Sequence, residues 1–214
     1  MRLISMSVWG SSRMYWEGAL INSRIYKEIY PGWTLRIYTD EQNDFTRELV
    51  ANGAQVCLMR NPGGIFGMFW RFIPASDEGL DALIVRDADS RLNVREAAAV
   101  EAWLASGKGA HVMRDHPHHL NWQMLGGMWG VRGGVIPDMK EKILAWNRWE
   151  NKLDDMYFLA ELSGLISSIT VFNMSGERHR LAENHSRRMV PVHATTLDRF
   201  TTKAMLKTFP VNNK

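Results

Sequence analysis

Ala82-Leu83-Ile84-Val85 is an uninterrupted apolar run that stops at Arg86-Asp87-Ala88-Asp89-Ser90-Arg91, where two carboxylates stand one residue apart. A short apolar run without alternation reads as a strand buried on both faces, and such strands belong to parallel sheets covered by helices. Successive side chains of a strand point to opposite faces, but where the strand bends into a loop both carboxylates of an Asp-x-Asp can turn toward one point. That point suits a hard divalent cation. Mg²⁺ or Mn²⁺ held by one or two carboxylates takes its remaining ligands from water and substrate phosphates, so the motif points to a diphosphate-bearing substrate. The bland alternative is an acidic turn after a strand, and Asp-x-Asp often arises that way by chance.

The residues before this run supply its setting. Leu3 to Trp9 reads as a first strand, followed by Gly10-Ser11-Ser12 as flexible backbone and a helix N-cap. A helix from Arg13 to Tyr30 is expected, with Ile21, Ile25 and Ile29 as its apolar stripe and Pro31-Gly32 as its stop. Trp33 to Tyr38 makes a second strand ending at Thr39-Asp40, Phe45 to Ala51 a short helix, and Ala54 to Met59 a third strand. A βαβαβ opening implies a parallel sheet whose ligands lie beyond the carboxyl ends of the strands. Ser7, Trp9 and Asp40 all fall at such ends.

Composition narrows the class. A chain of 214 residues with 45% hydrophobic and 23% charged residues fits one globular α/β domain, not a disordered or fibrous protein. The formal net charge of +3 lacks the dense basic stripe of a nucleic-acid binder. The single Cys57 excludes an intrachain disulfide and reads as a buried small hydrophobe. The opening residues are too short and polar a run for a signal peptide, and no stretch approaches a membrane span. A cytoplasmic protein is the expectation.

Further along, Phe66 to Ile73 reads as a short, very aromatic helix with Arg71 between Trp70 and Phe72. A guanidinium there either packs as a capped core charge or reaches an anion. Asn93 and Glu96 form a capping box for a helix from Val94 to Ala105, and His111 to Met113 is another strand. Arg114-Asp115-His116-Pro117-His118-His119 gathers ionisable groups at that strand's end; a zinc site is conceivable, although Pro117 and the spacing match no standard ligand pattern. Gly126-Gly127-Met128-Trp129-Gly130 allows close backbone approach to a ligand or is a glycine-rich turn into a strand. Pro137 opens a helix through about Lys152, and Asp154-Asp155 begin another, where acidic residues commonly complement the helix dipole. A strand at Ile169 to Phe172 is followed by basic, His-containing segments, a run that is most often solvated surface.

The order strand, helix, strand, Phe69-Trp70-Arg71-Phe72, Arg86-Asp87-Ala88-Asp89-Ser90-Arg91, Arg114-Asp115-His116-Pro117 and Gly126-Gly127-Met128-Trp129-Gly130 resembles the GT-A glycosyltransferases, over roughly Leu3 to Leu165. It looks closest to the group containing large-virus capsid and bacterial surface-polysaccharide enzymes. The resemblance implies a single Rossmann-like GT-A domain with a mostly parallel central sheet, a nucleotide-binding half over residues 1–92 and an acceptor half over 93–214. It also implies Mn²⁺ or Mg²⁺, a UDP-sugar donor and a glycan or other hydroxyl acceptor, with polysaccharide biosynthesis as the setting. Ser7, Trp9, Asp40, Arg71, Asp87, Arg114, Asp115 and Trp129 are then the expected donor-binding residues. Asp89 is the expected main metal ligand, with Asp87, and His185 completes the shell in preference to His179 and His193. Many relatives carry Asp-Gln where this chain has Asp154-Asp155, so alignment makes Asp154 the expected acceptor-side carboxylate and leaves Asp155 unresolved.

A sugar-nucleotide pyrophosphorylase is the first rival, but Val8-Trp9-Gly10-Ser11-Ser12-Arg13 has too few glycines for its phosphate loop. A non-catalytic carbohydrate- or nucleotide-binding module is the second. The intact Asp-x-Asp and Arg71 speak against it.

Overall fold

A computed structural model describes residues 1–60, 64–148, 150–166, 168–173 and 181–182. The βαβαβ opening is present: β1 (Arg2–Ser7), α1 (Arg13–Ile29), β2 (Thr34–Thr39), α2 (Asp44–Ala51) and β3 (Gln55–Leu58). A long 3₁₀ segment, Gly64–Ser76, then leads into β4 (Ala82–Arg86), the strand that ends in the Asp-x-Asp. There follow α3 (Val94–Ser106), β5 (Ala110–Arg114), a 3₁₀ turn at Pro117–Asn121, β6 (Met128–Arg132), α4 (Met139–Trp146), α5 (Asp154–Ser163), β7 (Ile169–Asn173) and β8 (Leu181–Ala182).

These strands form one sheet in the order β3-β2-β1-β4-β6-β5-β7-β8. The strands β3, β2, β1 and β4 are mutually parallel, β6 runs antiparallel to both β4 and β5, and β5 is parallel to β7. The sheet is thus mostly parallel, with β4 at its centre and buried along its whole length. Its alternate residues feed two cores. Leu83 and Val85 face the aromatic layer of Phe69, Phe72, Trp129 and Phe158, whereas Ala82 and Ile84 face Trp16, Val100 and Trp103. Phe72 stands edge-on to Trp129 at 5.5 Å and stacks on Phe158 at 6.1 Å, and truncating a core ring of this kind costs about 3 to 5 kcal/mol.

Three elements depart from the sequence reading for identifiable reasons. The buried side of α1 is Trp16, Ala19, Leu20, Asn22, Ser23 and Tyr26, while Ile21 is exposed and Ile25 and Ile29 are only half-covered. Two aromatic anchors and small residues fit the close helix–sheet contact better than the isoleucine stripe does. The aromatic segment is 3₁₀ and not α, and Pro74 inside it supplies no backbone donor. The helix expected to run to Lys152 stops at Trp146 because Asn147 turns left-handed at φ 58°. A smaller difference is Cys57, which lies on edge strand β3 and is only partly covered.

At α3, the Asn93 side chain accepts from Glu96 N–H at 3.0 Å as expected. The Glu96 carboxylate does not close the reciprocal half of the box; it binds Arg86 Nε at 3.0 Å, tying α3 to the buried end of β4.

His111 on β5 is completely buried and stacks on Trp103 with ring centroids 4.5 Å apart. Burial, and after it the Arg86 charge, hold its pKa well below the ordinary histidine value of about 6.5. The unfolded chain takes up a proton near that value and the folded chain refuses it, so stability present above about pH 6.5 is lost as pH falls. Melting temperatures followed from about pH 7.5 to 5 are expected to drop more steeply for the natural protein than for His111→Phe. Parallel slopes for the two proteins would assign the acid sensitivity to other groups.

Candidate functional site

The register of the sheet brings the strand ends together. Ser5 pairs with Val85 and Ser7 with Tyr38, so the carboxyl ends of β4, β1 and β2 lie side by side. Asp87 and Asp89 leave β4 in a tight turn closed by Ser90 N–H donating to Asp87 O at 3.3 Å. The Asp87 side chain is half-buried and Asp89 is exposed.

Asp87 belongs to a buried charge network. Arg71, brought in by the 3₁₀ segment, donates from Nη1 to Asp87 Oδ1 and from Nη2 to Asp155 Oδ2 at 2.9 Å. Both Arg71 and Asp155 are buried. Burial works against the Arg71 charge, but the two carboxylates more than offset it and hold the guanidinium pKa above its ordinary value. Burial likewise pushes the Asp155 carboxyl up, with Arg71 opposing. One planar fork thus spans two carboxylates from distant parts of the chain.

Gly126 and Gly127 make room for that network. A Cβ on Gly126 would collide with Asp155 Oδ2 and Arg71 Nη2, and one on Gly127 would strike the Asp87 carboxylate and lie 2.7 Å from the Asp87 backbone nitrogen. On the other side the Asp-x-Asp turn is gripped by α1. The fully buried Asn22 donates from Nδ2 to Ser90 O at 2.8 Å and Ala88 O at 3.4 Å, and its Oδ1 accepts from Leu92 N–H at 3.0 Å. A Cβ on Gly18 would collide with Ala88 O, so glycine is what lets α1 approach this closely.

A scan against protein-family models finds no match for the sequence, and a search of curated proteins finds none either. Solved structures do resemble it. TarS 1–349 from S. aureus superposes with a TM-score of 0.58 at 12% identity, over 83% of this chain and 59% of that one. Mannosyltransferase PcManGT from Pyrobaculum calidifontis, in complex with GDP-Man and Mn²⁺, gives 0.51 at 12% identity over 78% and 53%. Glucosyl-3-phosphoglycerate synthase from M. tuberculosis gives 0.52 at 13% identity over 88% and 74%. The fold is that of the GT-A glycosyltransferases. The chain spans little more than half the length of the first two of these structures.

Within the GT-A fold the sequence-predicted residues divide into two groups. Ser7, Trp9, Asp40, Arg71, Asp87, Asp89 and Asp155 gather around the carboxyl ends of β1, β2 and β4 or the charge network there. Ser7 Oγ is buried without a protein partner, and the half-buried Trp9 lies across the backbone of Gly67, edge-on to Trp70 at 6.5 Å.

The second group does something else. Trp129 is completely buried against Phe72 and offers no face to a ligand. Arg114 donates from Nη2 to Trp122 O and Gln123 O, both at 3.0 Å, and so holds a loop. Asp115 lies 2.8 Å from His119 Nδ1 and 3.8 Å from Arg95. Asp154, the residue that alignment favours, accepts at Oδ2 from the backbone N–H groups of Glu150 and Asn151 at 2.8 and 2.9 Å, in the loop that precedes α5. Its neighbour Asp155 is the one that joins Arg71. His185, with His179 and His193, lies outside the described residues.

No group of three or more His, Cys, Asp or Glu side chains capable of holding a metal occurs among the described residues, the histidine-rich segment after β5 included. Nor is any described helix long and apolar enough to cross a membrane. Asn22 and Gly18 escaped the sequence reading. The signal for both was a polar Asn and a Gly inside a helix, on the side that Trp16 and Ala19 bury.

Proposed function

We propose that this chain is a metal-dependent glycosyltransferase that moves a hexosyl group from a UDP-sugar to a glycan or other hydroxyl acceptor. The observation that carries the reading is the Arg71–Asp87–Asp155 network beside the exposed Asp89, at the strand ends of a GT-A fold. Ser7, Trp9 and Asp40 line the donor's nucleoside side, residues 1–92 form the nucleotide half, and residues 93–214 form the acceptor half.

The donor set fits a divalent cation. Two carboxylates on one turn, one pinned and one exposed, are hard oxygen ligands of the kind Mn²⁺ or Mg²⁺ takes together with substrate phosphates, so a third protein ligand is not required. When bound, such an ion neutralises charge that develops on the departing diphosphate. PcManGT was solved with GDP-Man and Mn²⁺, which supports this choice of cofactor.

The protein's own groups do the rest. Arg71 fixes Oδ1 of Asp87, whose half-exposed side chain stays beside Asp89 at the end of β4. Asn22 and Gly18 hold the turn so that Asp89 is presented without searching. Asp155 takes the proton of the acceptor hydroxyl as its oxygen bonds to the sugar carbon and the nucleotide departs. A carboxyl raised by burial is better matched to that task than an ordinary aspartate.

Nucleotide release tests the reading. Incubation with a panel of UDP-hexoses and GDP-mannose should yield free nucleotide from a UDP-hexose with Mn²⁺ and none with EDTA. No release from any donor would leave a binding module as the better account. Metal-independent release would remove the role given to Asp87 and Asp89.

A further inference from the structure

Among the described residues one Phe, Tyr or Trp ring is exposed: Tyr157, at 44%. It does not stand alone. Trp122, half-buried, meets it in a perpendicular pair with centroids 5.6 Å apart, and the Arg148 guanidinium lies 5.8 Å from the Tyr157 centroid and 5.4 Å from that of Trp146.

Two tethers fix the Trp122 loop. Arg114 grips the carbonyls of Trp122 and Gln123 from β5, and Ser163 Oγ on α5 donates to Gln123 Oε1 at 2.7 Å. The loop is therefore held to β5 and to α5 whether or not the rings touch. A purely structural role does not account for Tyr157 keeping so much of its surface in water.

The Trp122 loop joins the group to the candidate site along the chain, running on into Gly126-Gly127, which abut Asp155, Arg71 and Asp87. Asp155 and Tyr157, two residues apart on α5, face different sides of the helix, the first toward the buried network and the second toward solvent. The donor's nucleoside side, at Trp9 and Asp40, belongs to the other half of the chain.

We infer that Trp122 and Tyr157, with Arg148 and Gln123 beside them, form a platform for a sugar ring of the acceptor. This rests on the glycosyltransferase reading for its purpose, though not for its chemistry. A pyranose is apolar on the face where its axial C–H groups project and polar around its rim. Arg148 lies over one face of the Tyr157 ring; the partly exposed indole and the remaining phenol surface match the sugar's apolar face, and the Gln123 amide and the Tyr157 hydroxyl match the rim. A small acidic acceptor would have no use for two ring faces. The acceptor is accordingly a glycan, bound by its last sugar or the one before it.

The test is saturation-transfer NMR on the whole chain with maltotriose, cellotriose, laminaritriose and chitotriose, without nucleotide. At least one trisaccharide should receive saturation at its ring C–H protons. Its affinity should fall about tenfold or more in Tyr157→Ala and in Trp122→Ala, and stay within about threefold in Tyr157→Phe, which keeps the ring. Mn²⁺-linked UDP affinity should be unchanged in all three. If Trp122→Ala does not fold, the surface variant Tyr157→Ala decides. No saturation of any of the four sugars, or binding that survives loss of the rings, overturns the inference. Sugar binding that persists in a protein unable to release nucleotide would sink the glycosyltransferase reading and leave the platform standing.

Discussion

Asp155→Asn is expected to lower glycosyl transfer by about 10² to 10⁴-fold, the range for removing a positioned acid–base group, with donor affinity nearly unchanged. The neighbouring Asp154→Asn is expected to stay within a few-fold of the natural rate. The two positions differ by one residue and carry the same side chain, so the contrast comes from geometry. Asp155 is buried against the Arg71 fork, which also holds Asp87. Asp154 accepts two backbone N–H groups of the loop before α5, and an amide oxygen can still accept them; the cost there is about 1 kcal/mol of stability. Asp155→Asn will also lower the melting temperature, because it leaves the buried Arg71 with one anionic partner. Transfer and donor hydrolysis, measured separately on folded protein, divide these effects. A variant that is less stable but transfers normally would make Asp155 structural. Equal losses at both positions would return the assignment to the helix start as a whole.

That contrast marks where the sequence was legible and where it was not. The central strand could be read directly, since a run buried on both faces must be apolar throughout and Ala82 to Val85 is. The turn after it, the βαβαβ opening and the aromatic setting of Arg71 followed from local signals. Side-chain partners did not. Asp154 and Asp155 are indistinguishable by spacing, dipole or composition, and only the route of the backbone into α5 turns one toward its own loop and the other toward Arg71. Trp129 has the same origin of error: a residue next to glycines at a strand start suggests a ligand site, yet the antiparallel pairing of β6 with β4 and β5 sends that ring into the core.

The buried face of α1 differs from its apolar stripe for a related reason. Hydrophobicity favoured Ile21, Ile25 and Ile29, but close packing against the sheet favoured small residues beside two aromatic anchors, and the Asn22 grip on the Asp-x-Asp turn required a polar residue on the buried side. A pattern of apolar residues reports what leaves water. It does not report which polar group is needed to satisfy buried backbone carbonyls 66 and 68 residues away in sequence.

In the proposed reaction the turn after β4 holds a divalent cation against a nucleoside diphosphate, and Asp89 is the residue at which that role can be tested alone. Asp89 is solvent-facing, and the turn is fixed by Asn22 and by backbone contacts that do not involve the Asp89 carboxylate. Asp89→Ala therefore separates ligand loss from unfolding, which Asp87→Ala, by breaking the Arg71 pair, does not. The measurement is calorimetric titration of UDP into the natural protein and into Asp89→Ala, each with Mn²⁺ and with EDTA. In the natural protein Mn²⁺ should tighten UDP binding by about a hundredfold or more, and in Asp89→Ala that gain should disappear while the melting temperature holds. An undiminished Mn²⁺-linked gain in folded Asp89→Ala would contradict the account at its centre.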